Sequence, residues 1–239
     1  MRYGDTEIGE QGGNIIPATW HQRSPYNYYC DVIYDANGDS IGKAVAGCGP
    51  IALSQVMSYF QYPSSVNGNA FDWSAITAYP AYFDYNYNGK ATAFLIKKVG
   101  EAAHADYGES TSTTVNGLRD ALSAFGYLHS GPSDFSYTDI RSSLSNSYPV
   151  VAMGVRDGGF GHAWIIDKYR RERYLVTYYY TYPPYDVYKR IYYSRPYYYH
   201  CNWGRGYGYN GWCIDACQRD SNHNYCNNKK ILYNIRPNN

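Results

Sequence analysis

The strongest constraint on the fold is a change in the spacing of apolar residues at about residue 148. After this point come short runs rich in valine, isoleucine and tyrosine, separated by glycine and proline, which are typical of strands. Before it, apolar residues recur at helical intervals in three segments, 51–60, 91–103 and 113–125. Helices followed by strands predict an α+β protein.

We predict one domain over residues 1–239, built from two lobes. The helical lobe covers mainly 46–130, and the β-rich lobe covers mainly 146–239. The first 45 residues or so are predicted to be loops, because proline residues and an Asn-Gly turn interrupt them. A cleft between two such lobes is a common place for an active site.

The composition excludes several classes of protein. Hydrophobic residues make up 44% of the chain and charged residues 17%, which allows a sizeable core and argues against disorder. The formal net charge of +1 gives no general attraction to nucleic acid or acidic membranes. No run approaches the ~20 apolar residues that a membrane-spanning helix needs. The first residues lack a signal peptide, so we expect a cytosolic protein or a mature form without its leader.

The chain has six cysteines, which is too few for a disulfide-rich scaffold. The only candidate zinc ligands near one another are Cys213, Cys217, Cys226 and His223. We expect buried thiols or one disulfide here rather than a metal site, and no cofactor.

Cys48 directly precedes the clearest predicted helix, which starts at Gly49-Pro50. Proline suits a first helical turn, where its missing N–H is not needed. Unpaired N–H groups and the positive end of the helix dipole lie at this position. Both favour a thiolate, so we expect a lowered pKa for Cys48 and a reactive thiol. The alternative is a small buried cysteine with only a packing role.

His162 lies between a glycine-rich segment and a strand-like run, in the sequence GGFGHAWIID. The glycines allow the backbone to approach a ligand closely. A histidine at the start of a buried strand can face Cys48 across a cleft, and the two would then form a nucleophile with its general base. Taken alone, His162 could equally be a structural histidine.

Two further segments complete the pattern. Asn202 and Trp203 follow the histidine in chain order; in a Cys–His site an asparagine orients the imidazole and an indole shields that bond from water. Gln22 precedes the nucleophile, and its side-chain amide would join the Cys48 backbone N–H in stabilising an oxyanion. Separately, these residues would be a turn beside a core tryptophan and a surface glutamine.

Together these segments resemble the streptopain family, which are papain-like secreted cysteine proteases of bacteria. The similar segments are, in chain order, HQRSPYN, AGCGPIALSQVMSYFQYP, FDWSAI, ADYGESTST, LRDALSAFGY, PVVAMGV, GHAWIID and HCNWG. They extend over about four fifths of the chain. The resemblance implies a papain-like two-lobed fold, in which the nucleophile helix packs against an antiparallel β-sheet lobe.

The resemblance implies a catalytic role for five residues. Cys48 would be the nucleophile, His162 the base and Gln22 an oxyanion donor. Asn202 and Trp203 would support the histidine. The enzyme would be an endopeptidase that rests as a thiolate–imidazolium pair, forms an acyl-enzyme and acts on proteins or peptides.

Five other residues are implied to bind substrate. Val155 would help line the pocket for the residue that precedes the scissile bond, and Gly161 would also contact the substrate. Ser110, Thr111 and Ser112 would form part of the opposite wall. The family relationship also implies a secreted or cell-surface enzyme, made with an inhibitory N-terminal pro-segment, of which this chain is the mature form. No nucleic-acid partner is expected.

Three features depart from the family pattern. Gly49-Pro50 replaces a small apolar run after the nucleophile. Arg205 stands where the family has a second tryptophan, in NWGWG, which weakens the aromatic wall on that side. The Tyr-rich segment 168–199 is unusually long, and we predict a hairpin that turns near Pro183-Pro184 and serves as a structural arm or a contact surface.

Two alternatives stay open at this level. A bacteriocin-processing peptidase also carries a Cys-Gly nucleophile before a helix, but it would have a shorter chain and cleave after a double-glycine leader. A decayed protease could retain this fold and bind protein or glycan through its tyrosine-rich surface. The presence of all four elements of the pattern, which are Cys48, His162, Gln22 and the Asn202-Trp203 pair, argues against the second alternative.

Overall fold

The computed structural model describes residues 2–81, 89–182 and 185–238. The helices in these ranges are α1 Cys48–Phe60, α2 Trp73–Thr77, α3 Lys90–Ala102, α4 Val115–Ala124 and α5 Tyr137–Ser145. The strands are β1 Arg2–Gly13, β2 Val32–Tyr34, β3 Ser40–Lys43, β4 Ser65–Val66, β5 Asn69–Ala70, β6 Tyr127–Asp134, β7 Val150–Val155, β8 Gly161–Tyr182, β9 Tyr185–Asn202, β10 Gly211–Cys213 and β11 Asn227–Pro237. None of these helices is long and apolar enough to cross a membrane.

Seven of the described strands form one antiparallel sheet, in the order β10-β9-β8-β7-β11-β6 with β1 added on β8. On one edge, β8 pairs with β7 over residues 161–166 and with β1 over 168–177. β1 therefore covers the edge that β8 would otherwise expose beyond the end of β7. The pairs β2–β3 and β4–β5 are separate two-stranded ribbons.

Helix α1 runs through the core of the helical region. Its N-cap is Gly47, Pro50 lies in its first turn, and it ends at Gln61 in the left-handed conformation. All ten residues from 49 to 58 are buried, so the helix is covered on every side. Contacts with α3, α4 and β8 provide this cover and fix the start of α1 against the sheet.

The start of β8 separates two hydrophobic cores. Ala163 and Ile165 pack in the core that contains α1, whereas Trp164 and Ile166 pack in the core on the opposite side of the sheet. This alternation is the period of two expected for a strand buried on both faces. It also places His162 on the same face as Trp164.

The structure confirms the predicted order of helices and strands. The three predicted helices correspond to α1, α3 and α4, with bounds that agree to within two or three residues. The predicted cap of α4 is Thr114, whose hydroxyl accepts a hydrogen bond from Gly117 N at 3.0 Å. Helices α2 and α5 were not predicted, because both are short and only one or a few of their residues are buried.

The prediction of loops over the first 45 residues is wrong for residues 2–13, which form β1. Residues 6–11 are exposed, so the strand carries none of the apolar alternation that would have revealed it. Its pairing with β8 holds it in place. A strand of this kind is determined by its partner rather than by its own sequence.

The predicted Tyr-rich hairpin is confirmed. β8 and β9 are antiparallel from Ile165↔Asn202 to Tyr182↔Tyr185, with two shifts of register. Residues 183–184, where we predicted the turn, lie outside the described residues. Tyr174 and Tyr193 are directly opposite, with ring centres 5.6 Å apart. The Arg173 guanidinium lies 4.8 Å from the Tyr192 ring centre. Cross-strand ring and cation–π contacts thus stabilise the distal hairpin.

We expect Thr114→Ala to lower the free energy of unfolding by about 1 kcal/mol, because it removes the acceptor for an otherwise unpaired N–H at the start of α4. The matched control is Asn116→Ala, an exposed position in the same helical turn, which should change stability by less than about 0.5 kcal/mol. Urea unfolding of the two variants measures both values. Equal effects would contradict the capping role of Thr114.

Candidate active site

The sulfur of Cys48 lies against the first residues of β8. Cys48 is the first residue of α1, and its Sγ accepts a hydrogen bond from Ala163 N at 3.3 Å. The backbone N–H groups of Cys48 and Gly49 also interact with the sulfur. The Cys48 sulfur thus lies against the residue that directly follows His162, at the point where the start of α1 meets the sheet.

Contacts from two directions hold the segment that precedes Cys48. Ala46 N donates to Gln22 O at 2.8 Å, and Thr111 Oγ1 donates to Val45 O at 2.6 Å. Gly47 has φ +88°, and a Cβ there would lie 2.8 Å from Thr111 Cγ2. Glycine is required at this position for both reasons.

The electrostatic environment of Cys48 differs from the expectation for a helix start. Burial raises the pKa of the thiol, while the N–H groups of Ala163 and Gly49, its own N–H and the charge of Arg205 act in the opposite direction. The predicted lowering of the pKa is therefore wrong for the thiol taken alone. Enclosure removes the hydration of the thiolate, and this outweighs the helix start.

His162 is held by a backbone carbonyl. Its Nε2 lies 2.9 Å from the Trp203 carbonyl oxygen. A carbonyl can only accept, so Nε2 carries the proton and the other ring nitrogen, Nδ1, is the basic one in the neutral ring. The tautomer is thus fixed with a free lone pair on Nδ1.

Burial also determines the charge of His162. Burial, followed by the positive charge of Arg205, lowers its pKa to about 3, although the hydrogen bond to Trp203 acts in the opposite direction. A lone imidazolium is therefore unfavourable here, and so is a lone thiolate. The two ions are compatible with this enclosure only when they form together, so that each offsets the desolvation of the other.

Three aromatic rings surround the imidazole. The ring centres of Tyr225, Trp203 and Trp164 lie 4.9, 6.2 and 6.4 Å from that of His162, and the two indoles are nearly parallel to it. Tyr225 is buried and adjoins the disulfide Cys217–Cys226. This enclosure is the physical cause of the large desolvation of His162.

The predicted role of Asn202 is corrected by the structure. Its amide does not contact His162: Nδ2 donates to Ala18 O at 2.7 Å, and Oδ1 accepts from Gly204 N at 3.1 Å. Asn202 Nδ2 also lies 3.3 Å from Gln55 Oε1, which in turn accepts from Trp20 N. The backbone around the imidazole provides the hydrogen-bond partners of the buried Asn202 amide. Asn202 therefore positions Trp203, and the Trp203 carbonyl makes the direct hydrogen bond to His162.

A cleft of about 470 Å³ lies beside these residues. Of the predicted site residues, Gln22 and Ser110 line it. The remaining lining residues are His21, Arg23, Val45, Glu109, Gly204, Arg205 and Tyr209. The cleft therefore extends between the segment that precedes the nucleophile and the segment that follows Trp203.

The other predicted substrate-binding residues lie outside this lining. Val155 pairs with Gly161 at the start of β8, directly before His162. Thr111 is buried, and its hydroxyl is bonded to Val45 O. Ser112 exchanges two backbone hydrogen bonds with Asp106, at 2.9 and 3.0 Å. Their roles in binding stay predictions.

The cysteines follow the expectation of buried thiols and one disulfide. Cys217 and Cys226 form the disulfide, which removes two of the four candidate zinc ligands. Cys30 and Cys201 are buried thiols, and Cys213 is a half-buried thiol.

Three residues of the site were missed from the sequence. Trp164 could have been found, because it is two residues after His162 in a strand and therefore shares its face. Gln55 is a fully buried polar residue within an apolar helix, which is a recognisable anomaly. Tyr225 gave no indication, since its position depends on a disulfide that the sequence does not specify.

We expect Asn202→Ala to lower the free energy of unfolding by roughly 2–4 kcal/mol, because Ala18 O, Gly204 N and Gln55 lose a buried partner. The matched control is Asn222→Ala, an exposed asparagine, for which a change below about 0.5 kcal/mol is expected. Urea unfolding is the measurement. A fully stable Asn202→Ala protein would show that the amide network does not support the site.

Stability should fall in acid because burial opposes the uptake of an additional proton at His162 in the native chain. The unfolded histidine takes up a proton near pH 6.5, whereas the native one does so only near its pKa of about 3. The unfolded state thus binds more protons between these values, and this group alone lowers the free energy of unfolding by roughly 2 kcal/mol from about pH 6.5 to 4.5.

His162→Gln removes this proton uptake, so its unfolding free energy should depend less on pH by about the same amount. Urea unfolding of both proteins at the two pH values tests the difference. Parallel pH dependence in the two proteins would mean that native His162 takes up a proton as readily as it does in the unfolded chain, which would contradict its lowered pKa.

Known proteins resemble this chain in sequence and in fold. The Peptidase C10 family model matches residues 20–213. Streptopain of Streptococcus pyogenes is 28% identical, in an alignment that covers 62% of this chain and 47% of the relative. Streptopain of serotype M1 is 27% identical over the same shares. The match therefore spans about half the length of these curated relatives.

Solved structures show the same fold. Active wild-type interpain A, a cysteine protease of Prevotella intermedia, has a TM-score of 0.68 at 17% identity, covering 96% of this chain and 95% of that chain. A prointerpain A fragment from the same organism has a TM-score of 0.63 at 18% identity, covering 96% and 72%. The predicted papain-like fold is thus confirmed, and the match over most of its length shows that the chain belongs to the Peptidase C10 family.

Proposed function

We propose that this chain is a cysteine endopeptidase in which Cys48 is the nucleophile and His162 is the general base and acid. The observation that carries the proposal is the position of the Cys48 sulfur, 3.3 Å from Ala163 N, beside a histidine whose Nε2 is bonded to a carbonyl. Family membership supports the same activity. The substrates are proteins or peptides.

The mechanism begins with transfer of the thiol proton from Cys48 Sγ to His162 Nδ1. Burial disfavours either ion alone, so the thiolate and the imidazolium form as a pair. The thiolate attacks the carbonyl carbon of the scissile peptide bond, and the electron pair of the C=O bond moves to oxygen. This gives a tetrahedral oxyanion.

Two donors stabilise the oxyanion in this proposal. One is the backbone N–H of Cys48, at the start of α1, and the other is the side-chain amide of Gln22, which lines the cleft. When the oxyanion collapses, the C–N bond breaks and His162 gives its proton to the leaving amine. Water then hydrolyses the thioester, with His162 as base, and restores the thiol.

Trp203 and Asn202 contribute to the proposed mechanism by positioning His162. The Trp203 carbonyl holds the imidazole, and Asn202 holds the segment that contains this carbonyl. We further propose that the enzyme is bacterial, is exported or surface-located, and is made with an inhibitory N-terminal pro-segment. The relatives are bacterial proteins, and one neighbour is a fragment of a proenzyme.

We expect Cys48→Ala to abolish cleavage of casein, and Gln22→Ala to retain a measurable rate that is lower by roughly 100-fold, since one oxyanion donor contributes about 3 kcal/mol. Cys213→Ser is the matched control, because it removes another half-buried free thiol, and it should cleave casein normally. Casein hydrolysis by Cys48→Ala at the wild-type rate would exclude the mechanism.

Iodoacetamide provides an independent measurement. Loss of activity should follow labelling of Cys48 in peptide maps, at the same rate in wild type and in Cys213→Ser. His162→Ala should slow labelling of Cys48 near neutral pH, because the thiolate loses its counter-ion. Failure of Cys48 to react would favour the non-catalytic binding module instead.

A further inference from the structure

One side chain that lines the cleft has no role in the chemistry described above. Arg205 follows Gly204 and lies in the cleft wall together with Gln22. It stands where the sequence pattern led us to expect a second tryptophan. An aromatic wall would bind apolar groups, whereas a guanidinium binds anions.

Arg205 is fixed in place by a buried partner. Its Nη2 donates to the Tyr225 hydroxyl at 2.9 Å. Tyr225 is itself fixed, since its N–H donates to Cys217 O at 2.9 Å and it precedes the disulfide cysteine Cys226. A guanidinium anchored on one N–H keeps its remaining donors at a defined place in the cleft.

The charge of Arg205 is not balanced by the protein. In the part of the chain that the structure describes, no carboxylate forms an ion pair with its guanidinium within 4.0 Å. Glu109 lines the same cleft but is exposed and beyond that distance. The field of Arg205 reaches the reacting groups, because it contributes to the pKa of both Cys48 and His162 after the larger effect of burial.

The chemistry determines which part of a substrate meets this charge. His162 protonates the leaving amine, so the residue that supplies this amine lies against the wall that holds the imidazole. That wall consists of Trp203, whose carbonyl bonds to His162, and the segment that follows it, Gly204 and Arg205. The side chain directly after the scissile bond therefore faces Arg205.

We propose that Arg205 makes this protease select an aspartate or glutamate directly after the scissile bond. The carboxylate would accept charge-assisted hydrogen bonds from the guanidinium edge that Tyr225 leaves free. This inference rests on the proposed peptidase activity and adds a substrate preference to it. The positive charge of Arg205 recognises the residue directly after the scissile bond, whereas Cys48 and His162 perform the cleavage.

The test uses peptides built around a cleavage site first mapped in casein, identical except for glutamate or glutamine directly after the scissile bond. The measured quantity is kcat/KM for the glutamate peptide divided by kcat/KM for the glutamine peptide, both with the same enzyme. A variant that loses active protein loses the same fraction in both measurements, so this ratio does not change. We expect wild type to prefer glutamate by about tenfold at low salt. The preference should shrink as ionic strength rises.

Three variants identify the source of the preference. Arg205→Gln should bring the ratio to about one, and Arg205→Lys should retain part of it. Tyr225→Phe keeps the ring against His162 and removes only the hydroxyl that holds Arg205, so the ratio should fall several-fold. The matched control is Arg23→Gln, an exposed arginine in the same cleft, which should leave the ratio unchanged.

A second readout needs no peptide. The rate of alkylation of Cys48 by iodoacetate, divided by that by iodoacetamide, reports positive charge at the sulfur. We expect this ratio to fall several-fold in Arg205→Gln and to stay unchanged in Arg23→Gln. An unchanged ratio in Arg205→Gln would show that the charge does not reach the reaction site, and would overturn the inference.

The outcomes separate this inference from the proposed function. Cleavage of casein that depends on Cys48, with a glutamate-to-glutamine ratio near one, overturns the inference alone. A preference for glutamate that persists in Arg205→Gln does the same. Absence of both casein cleavage and Cys48 alkylation overturns the proposed function, and the inference falls with it.

Discussion

The hydrogen bond between His162 Nε2 and the Trp203 carbonyl is the contact around which the other parts of the site are arranged. It fixes the tautomer, and it ties the start of β8 to the end of β9. Asn202 holds the segment that contains this carbonyl, because it accepts a hydrogen bond from Gly204 N and donates one to Ala18 O. A backbone acceptor cannot be changed by mutation of its own side chain, so the orientation of His162 depends on residues that never touch it.

This arrangement explains why burial favours the neutral form of Cys48 and the neutral form of His162, when each group is considered alone. The aromatic rings that hold the imidazole also exclude water from it, and the same enclosure raises the pKa of Cys48. The N–H groups of Ala163, Gly49 and Cys48 offset part of this effect but do not reverse it. A reactive ion pair in such a site depends on the mutual attraction of the two ions. Reactivity is therefore a property of the pair, and the helix start alone does not provide it.

The sequence was sufficient for the elements that are defined by local pattern. Helix α1 and the start of β8 follow from apolar spacing, and Cys48 and His162 lie at the ends of these elements as predicted, while their catalytic roles stay proposals. The parts that were wrong or missed depend on distant partners. β1 is a largely exposed strand whose backbone pairs with β8. The partner of His162 is a main-chain atom, which no residue type in the sequence can indicate.

Arg205 illustrates how one departure from a family pattern depends on another part of the chain. An arginine in a cleft wall loses rotamer freedom when it binds a ligand, and this loss reduces the gain in affinity. Here Tyr225 already holds the guanidinium, and the disulfide holds Tyr225. The ordering is thus completed on folding, before any substrate arrives. In the proposed selection of substrates, the Cys217–Cys226 disulfide, which has no part in bond cleavage, would help determine which substrates are cleaved, because it fixes the tyrosine that holds the Arg205 guanidinium.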